Sequence, residues 1–272
     1  MTHQAPLRRM AHGSQFHALG LHADALTSPF LGIDHAWISG PTFPPHPHAG
    51  FSAVSYLFLD SQTHIDNRDS LGGRHEIQPG GLHWTAAGRG VVHEETPAQP
   101  GQTVHMLQIF VNLPADRQHE APFALRLTPQ EVPVVQLPGA RVRVPLGGFA
   151  GVRSPLNPPT PVQLLDISLE AGAELDLPVE AGHTAFALPI HGELVVGDQP
   201  LDAEGGHIPI FVAQAQGHTL RLQALQGPAT VAFFAGAPLH QPIHRQGPMA
   251  MASAEALAAA IAAYRRGDLG TL

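Results

Sequence analysis

The amino-acid sequence predicts an all-β protein of two consecutive β-barrels closed by a short C-terminal helix. Three observations carry this. Gly (28) and Pro (27) are both abundant, as suits many short strands joined by tight turns. Short apolar runs broken by turn clusters fill two regions of similar size, 32–113 and 162–234. Helical periodicity is confined to one segment near the end.

In the first region, Ala53 to Leu59 is rich in β-formers and is followed by a polar stretch, Asp60 to Gly73. Gln78-Pro79-Gly80-Gly81 reads as a turn leading into the strand Leu82-His83-Trp84-Thr85. Gly88-Arg89-Gly90 breaks the chain before Val91-Val92-His93, and Met106 to Leu113 reads as a buried strand stopped by Pro114. The Pro-rich stretch 153–161 reads as an extended linker. Beyond it, strands are expected at 163–169, 184–190, 193–196 and 230–234. The barrels are placed at 1–140 and 141–272. In the helix, Ser253 is the expected N-cap and Glu255 suits the positive first turn. Leu257, Ile261 and Tyr264 make an apolar stripe, and Gly267 terminates the helix.

Composition narrows the function. A formal charge of -8 with only 14 Lys and Arg argues against direct nucleic-acid binding. The absence of cysteine removes disulfides, thiolate ligands and Cys nucleophiles together. No apolar run reaches the ~18 residues needed to span a bilayer, and MTHQAPLRRMAHG lacks a signal-peptide core, so a cytoplasmic, membrane-free location is expected. No Gly-x-Ser-x-Gly elbow occurs, and Gly88-Arg89-Gly90 lacks the strand–loop–helix context of a phosphate loop.

Nineteen histidines point towards a metal. His46-Pro47-His48 and His93-Glu94-Glu95 each place two ligand types at i and i+2. Side chains so spaced on a strand share one face. Two such pairs on adjacent inward-facing strands can surround one ion with three imidazoles and a carboxylate, a donor set suited to divalent iron, copper, nickel, manganese or zinc. Spacing alone is weak support, because this histidine content yields about 1.3 His-x-His and about 0.8 His-x-Glu by chance. His191-Gly192-Glu193 is such a decoy. Pro47 suggests an edge strand, and Gly50 allows a close backbone approach.

The sequence resembles the pirin family, a two-barrel group within the cupin superfamily. The resemblance rests on HPHAGFSAVSY (46–56), NRDSLGG (67–73), QPGGLHWTAAGRGVVHEETP (78–97), MLQIFVNLP (106–114) and GPMAMASAEALAAAIAAYRRGDLG (247–270). It implies two cupin (jelly-roll) barrels, with one divalent transition metal, Fe(II) foremost, held in the N-terminal barrel by His46, His48, His93 and Glu95. The C-terminal barrel, which contains His183, His191, His207 and His218, is expected to be metal-free. The resemblance further implies a quercetin 2,3-dioxygenase-like activity, with a small aromatic substrate and O2, and Glu95 as ligand and base. Its alternative implication is a non-enzymatic, iron-binding redox sensor acting through a protein partner. Phe51, Trp84 and Phe110 are candidates for an apolar substrate wall, or else for plain core packing. Two departures from the family pattern, Ala49 where many members have Arg and the longer 60–66 segment, are expected near the cavity mouth. Two fused barrels can bury their main interface within one chain, which favours a monomer.

Overall fold

The computed structural model describes residues 2–203 and 206–272. Its strands form one 13-stranded sheet that runs through both halves of the molecule, two four-stranded sheets and two small hairpins. In the first half, Phe123–Leu127, Leu82–Ala86, Phe51–Leu57, Val104–Asn112, Phe30–Ile38 and Phe16–Leu21 lie side by side in the large sheet. The four-stranded sheet His46–His48, Val91–Pro97, Ile65–Asp69 and Arg74–Ile77 closes the barrel. In the second half, His207–Phe211, Thr184–His191, Ala229–Gly236, Val162–Leu169, Ala140–Leu146 and Val134–Leu137 continue the large sheet. Glu174–Val179, His218–Ala224, Glu193–Val196 and Gln199–Asp202 form the other small sheet. The molecule is therefore all-β, with two cupin barrels in tandem. No helix among the described residues is long and apolar enough to cross a membrane.

Several elements differ from the sequence reading. The N-terminal strand Thr2–His12 was not expected, since THQAPLRRMAH has few β-formers. It joins the barrels, pairing with Phe16–Leu21 from Leu7 onward and with His207–Phe211 over Thr2–Pro6. The polar stretch Asp60–Gly73 contains the strand Ile65–Asp69, whose alternation turns Ile65, Asn67 and Asp69 inward. The Pro-rich 153–161 is not a linker between barrels: Ala140–Leu146 before it and Val162–Leu169 after it pair with each other in the second one. The stretch packs across the junction instead, where Thr160 Oγ1 donates to Asn112 O and Arg117 Nη1 to Pro159 O. Val134–Leu137 also pairs into the second barrel, on Ala140–Leu146, although 134–137 falls within the expected first domain.

The C-terminal helix Ala254–Arg266 begins and ends as its sequence predicts. Ser253 Oγ accepts from Ala256 N at 3.1 Å, and Gly267 takes φ 82° while its N–H caps the last carbonyls. Its buried face is Leu257 and Ala260 with Ile261 beside them, whereas Tyr264 is exposed. That face packs on Ala49 and Val92 of the first barrel, together with Met249 and Met251 of the strand just before the helix.

The two barrels share a polar tie within an apolar interface. Tyr56 Oη donates to Asp166 Oδ2 at 2.6 Å and accepts from Arg143 Nε at 3.2 Å. Arg143 Nη2 donates to Gly80 O at 2.7 Å, fixing the Pro79-Gly80 turn of the first barrel from the second. All three side chains are buried. Burial pushes the Asp166 carboxyl above its ordinary range, opposed by the Tyr56 hydrogen bond and then by the charge of Arg143. Tyr56→Phe strips the Asp166 carboxylate of its best donor while preserving shape. The expected loss is about 1–3 kcal/mol, read as a lower urea midpoint at unchanged slope.

Candidate metal centre

The edge strand His46–His48 pairs with Val91–Pro97 so that His46 lies directly opposite His93. Pro47, which has no N–H to donate, sits at the edge of the sheet as expected. The rings of His46, His48 and His93 form a near-equilateral triangle, with centroids 4.8, 4.7 and 4.7 Å apart. One nitrogen from each lies within 4.8 Å of the others. Two tautomers follow from the hydrogen bonds. His46 Nδ1 is 2.9 Å from Pro44 O and His48 Nδ1 is 3.1 Å from Pro248 O. A carbonyl only accepts, so both Nδ1 atoms carry the proton and both Nε2 lone pairs are free for a ligand. His93 Nδ1 is buried without a partner.

Burial and the neighbouring imidazoles keep the buried pair neutral: the His48 pKa falls to about 3 and that of His93 drops well below the ordinary value. Neutral imidazoles are the form a cation requires. Glu95, two residues beyond His93, faces the same interior, where Ser55 Oγ donates to its Oε2 at 2.7 Å. Burial raises the Glu95 carboxyl to about 7, with the Ser55 hydrogen bond pulling the other way. The three imidazoles form a group suited to a divalent transition metal of the N/O-ligated class, and Glu95 lines the same cavity beside them. A second cluster, His64, Asp66 and Glu76, lies on the outer face of the same sheet, with both acids exposed.

The centre opens on a cavity of about 260 Å³ that His46, His48, His93 and Glu95 line together. Its other walls are mostly apolar, with Phe16, Phe43, Ile38, Ile65 and Phe110 among them, and Asp34 and Gln108 supply polar atoms. Of the three aromatic candidates, Phe110 lines the cavity. Phe51 and Trp84 do not. Phe51 is buried behind the centre, edge-on to Phe110 at 5.6 Å and against His48 at 5.1 Å. Trp84 pairs with Val54 on the opposite face of its strand and joins the core shared by both barrels. Ala49 does not reach the cavity mouth either, because it is fully buried under the C-terminal helix. Within 60–66 only Ile65 contributes to the lining. Ser55, Gln108, Asp34 and Phe16 escaped the sequence reading. Period-two alternation in FLGIDHAWI and MLQIFVNL would have turned Asp34 and Gln108 inward, had the face of each strand been known.

Fold and centre together define a two-barrel cupin with a histidine-rich pocket in its first barrel. Comparison with known proteins narrows this further. The family model described as Pirin matches residues 8–111, and that of the Pirin C-terminal cupin domain matches residues 164–270. Pirin of Rattus norvegicus is 34% identical over 250 residues, 90% of this chain and 84% of that protein. Human Pirin is 32% identical over 246 residues, 89% of this chain and 83% of its own length. The chain belongs to the pirin family. Among solved structures, a quercetin 2,3-dioxygenase from Acinetobacter baumannii superposes with a TM-score of 0.87 at 27% identity, covering 99% of this chain and 97% of its own. A bacterial pirin from Escherichia coli in complex with nickel(II) shares the fold, with a TM-score of 0.67 at 14% identity over 88% of this chain and 100% of its own.

Binding at the centre is expected to stabilise the fold, since an ion that binds only the native state contributes about 2.7 kcal/mol at a hundredfold excess over Kd. Ni(II) added to chelator-treated protein should therefore raise the melting temperature. His93→Ala should abolish that rise and leave substoichiometric metal by elemental analysis.

Proposed function

We propose that this chain is a metal-dependent dioxygenase that opens the ring of a flavonol of the quercetin type with O2. The observation that carries the reading is the meeting of three imidazoles and a buried carboxylate on one wall of a small, otherwise largely apolar cavity. A divalent transition metal on His46, His48, His93 and Glu95, Fe(II) by preference, would supply Lewis-acid and dioxygen chemistry. The similarity to the Acinetobacter quercetin 2,3-dioxygenase supports the reaction class.

The residues have distinct parts. Phe16 and Phe43 meet edge to face at 5.3 Å, and Phe43 leans over His46 at 6.5 Å, so the pair forms an aromatic wall beside the ligands. With Ile38, Ile65 and Phe110 they suit a flat ring and exclude water from its faces. Glu95 takes the proton of the flavonol hydroxyl. Its burial in the cavity wall disfavours the charged form, which makes the carboxylate a readier proton acceptor. Ser55 holds Oε2 and so aims the other oxygen. His46 and His48 are oriented by the carbonyls of Pro44 and Pro248.

The test is to load the protein with Fe(II) without air, confirm the bound ion, then add quercetin and air and measure carbon monoxide. Wild type should release it. Glu95→Gln, with its metal content checked in parallel, should do so ~10²–10⁴-fold more slowly. Metal-loaded wild type that yields no carbon monoxide sinks the proposal. The iron-binding redox sensor with a protein partner is then the reading to pursue.

A further inference from the structure

The cavity has a second polar feature that neither the metal nor the proton transfer uses. Asp34 lies on the inward face of Phe30–Ile38 and lines the cavity. His22 Nε2 stands 2.7 Å from its Oδ1, and the Asp34 side chain is only 13% exposed. Two glycines make room for this pair. A Cβ on Gly20 would come within 2.8 Å of Asp34 Oδ1 and 2.9 Å of His22 Nε2, and one on Gly32 within 2.7 Å of His22 Nδ1. The carboxylate is thus held in place, with one oxygen committed to His22.

Its position relative to the metal end follows from strand register. Asp34 is the cross-strand partner of Gln108, and Gln108 is the partner of Ser55. Ser55 in turn holds Glu95, and its hydroxyl lies 3.2 Å from Gln108 Oε1. A polar row therefore crosses the large sheet from Asp34 to the base. Neighbouring strands are ~4.8 Å apart, so two steps set Asp34 about 10 Å from Ser55. That separation is on the scale of an aromatic ligand spanning the cavity.

We propose that Asp34 is a specificity-determining residue that accepts a hydrogen bond from a second hydroxyl, on the part of an aromatic ligand remote from its metal-chelating end. This rests on the flavonol reading of the site. A carboxylate oxygen inside an apolar cavity that finds no donor carries a desolvation cost. A ligand lacking the hydroxyl leaves it unpaired, and sites built around a polar group reject such analogues strongly. The cavity therefore selects polyhydroxylated rings over equally flat ones without the distal hydroxyl.

The experiment uses Ni(II)-loaded protein and follows, by the visible absorption of the ligand, the binding of quercetin and of the flavonol whose pendant ring has no hydroxyls. Wild type should bind quercetin at least ~10-fold more tightly. Asp34→Ala should remove that preference by weakening quercetin alone, with the analogue's affinity changed less than ~3-fold. Asp34→Asn, which keeps an acceptor oxygen, should fall between them and serves as the folded variant if the alanine protein is unstable. Equal affinities in wild type, or an Asp34 variant that weakens both ligands alike, overturns the role of Asp34 and leaves the flavonol reading standing. Metal-loaded wild type that binds neither ligand overturns both.

Discussion

The site depends on the register of one very short edge strand. His46–His48 is three residues long, and a slip of one residue against Val91–Pro97 would turn both imidazoles away from His93. Three residues of pairing do not hold a register on their own. The support comes from residues some two hundred positions later. Ala49 bridges Met249, and Ala250 N donates to Ala49 O at 3.1 Å. Gly50, at φ 82°, lies so close to Ala250 O that no side chain fits there. Gln118 adds a clamp, donating from Nε2 to Gly50 O at 3.0 Å and accepting from Ala252 N at 2.7 Å. The adjacent strand is tied to the end of the chain through Ser70, which donates to Leu269 O at 2.6 Å and accepts from Val92 N at 3.1 Å. The C-terminal segment thus supports the candidate centre although it lines the cavity only through Pro248.

This explains what the sequence disclosed and what it withheld. The residues that meet at the candidate centre were legible because their spacing of two matches the period of a strand, and because the turn and strand pattern around them matched a family. The decoy His191-Gly192-Glu193 shows why spacing alone misleads. Gly192 takes φ 78° and ends one strand at His191 before the next begins at Glu193, and both side chains are exposed. A glycine bend between two ligand types destroys the shared face that a proline at the same place preserves.

The aromatic wall was less legible for a related reason. Phe51, Trp84 and Phe110 are equally apolar, and composition does not state which face of a strand meets the cavity and which meets the other barrel. Trp84 goes to the shared core, Phe110 to the cavity, and Phe51 between Phe110 and the C-terminal segment. The N-terminal strand stayed hidden because a poor β-former such as THQAPLRRMAH is held by two partner strands that local propensity does not report.

The two barrels divide the physical work. The interior of the first carries most of the costly groups: both ring nitrogens of His83 and both amide atoms of Asn67 are buried without a protein partner, as is His93 Nδ1, against those of His218 in the second. Each such group opposes folding. The second barrel is filled by Leu165, Ile167, Leu177, Leu222, Val231 and Phe233, all essentially inaccessible to solvent. One apolar cluster joins this core to Val54, Tyr56, Trp84 and Leu107 on the outer face of the first barrel's large sheet. Stabilisation gained by packing in the second barrel thereby reaches the strands that carry Ser55, His83 and Gln108 on their other face. A barrel of this length with a polar cavity would be marginal alone, and fusion to an apolar-cored partner offsets the cost of keeping the cavity open.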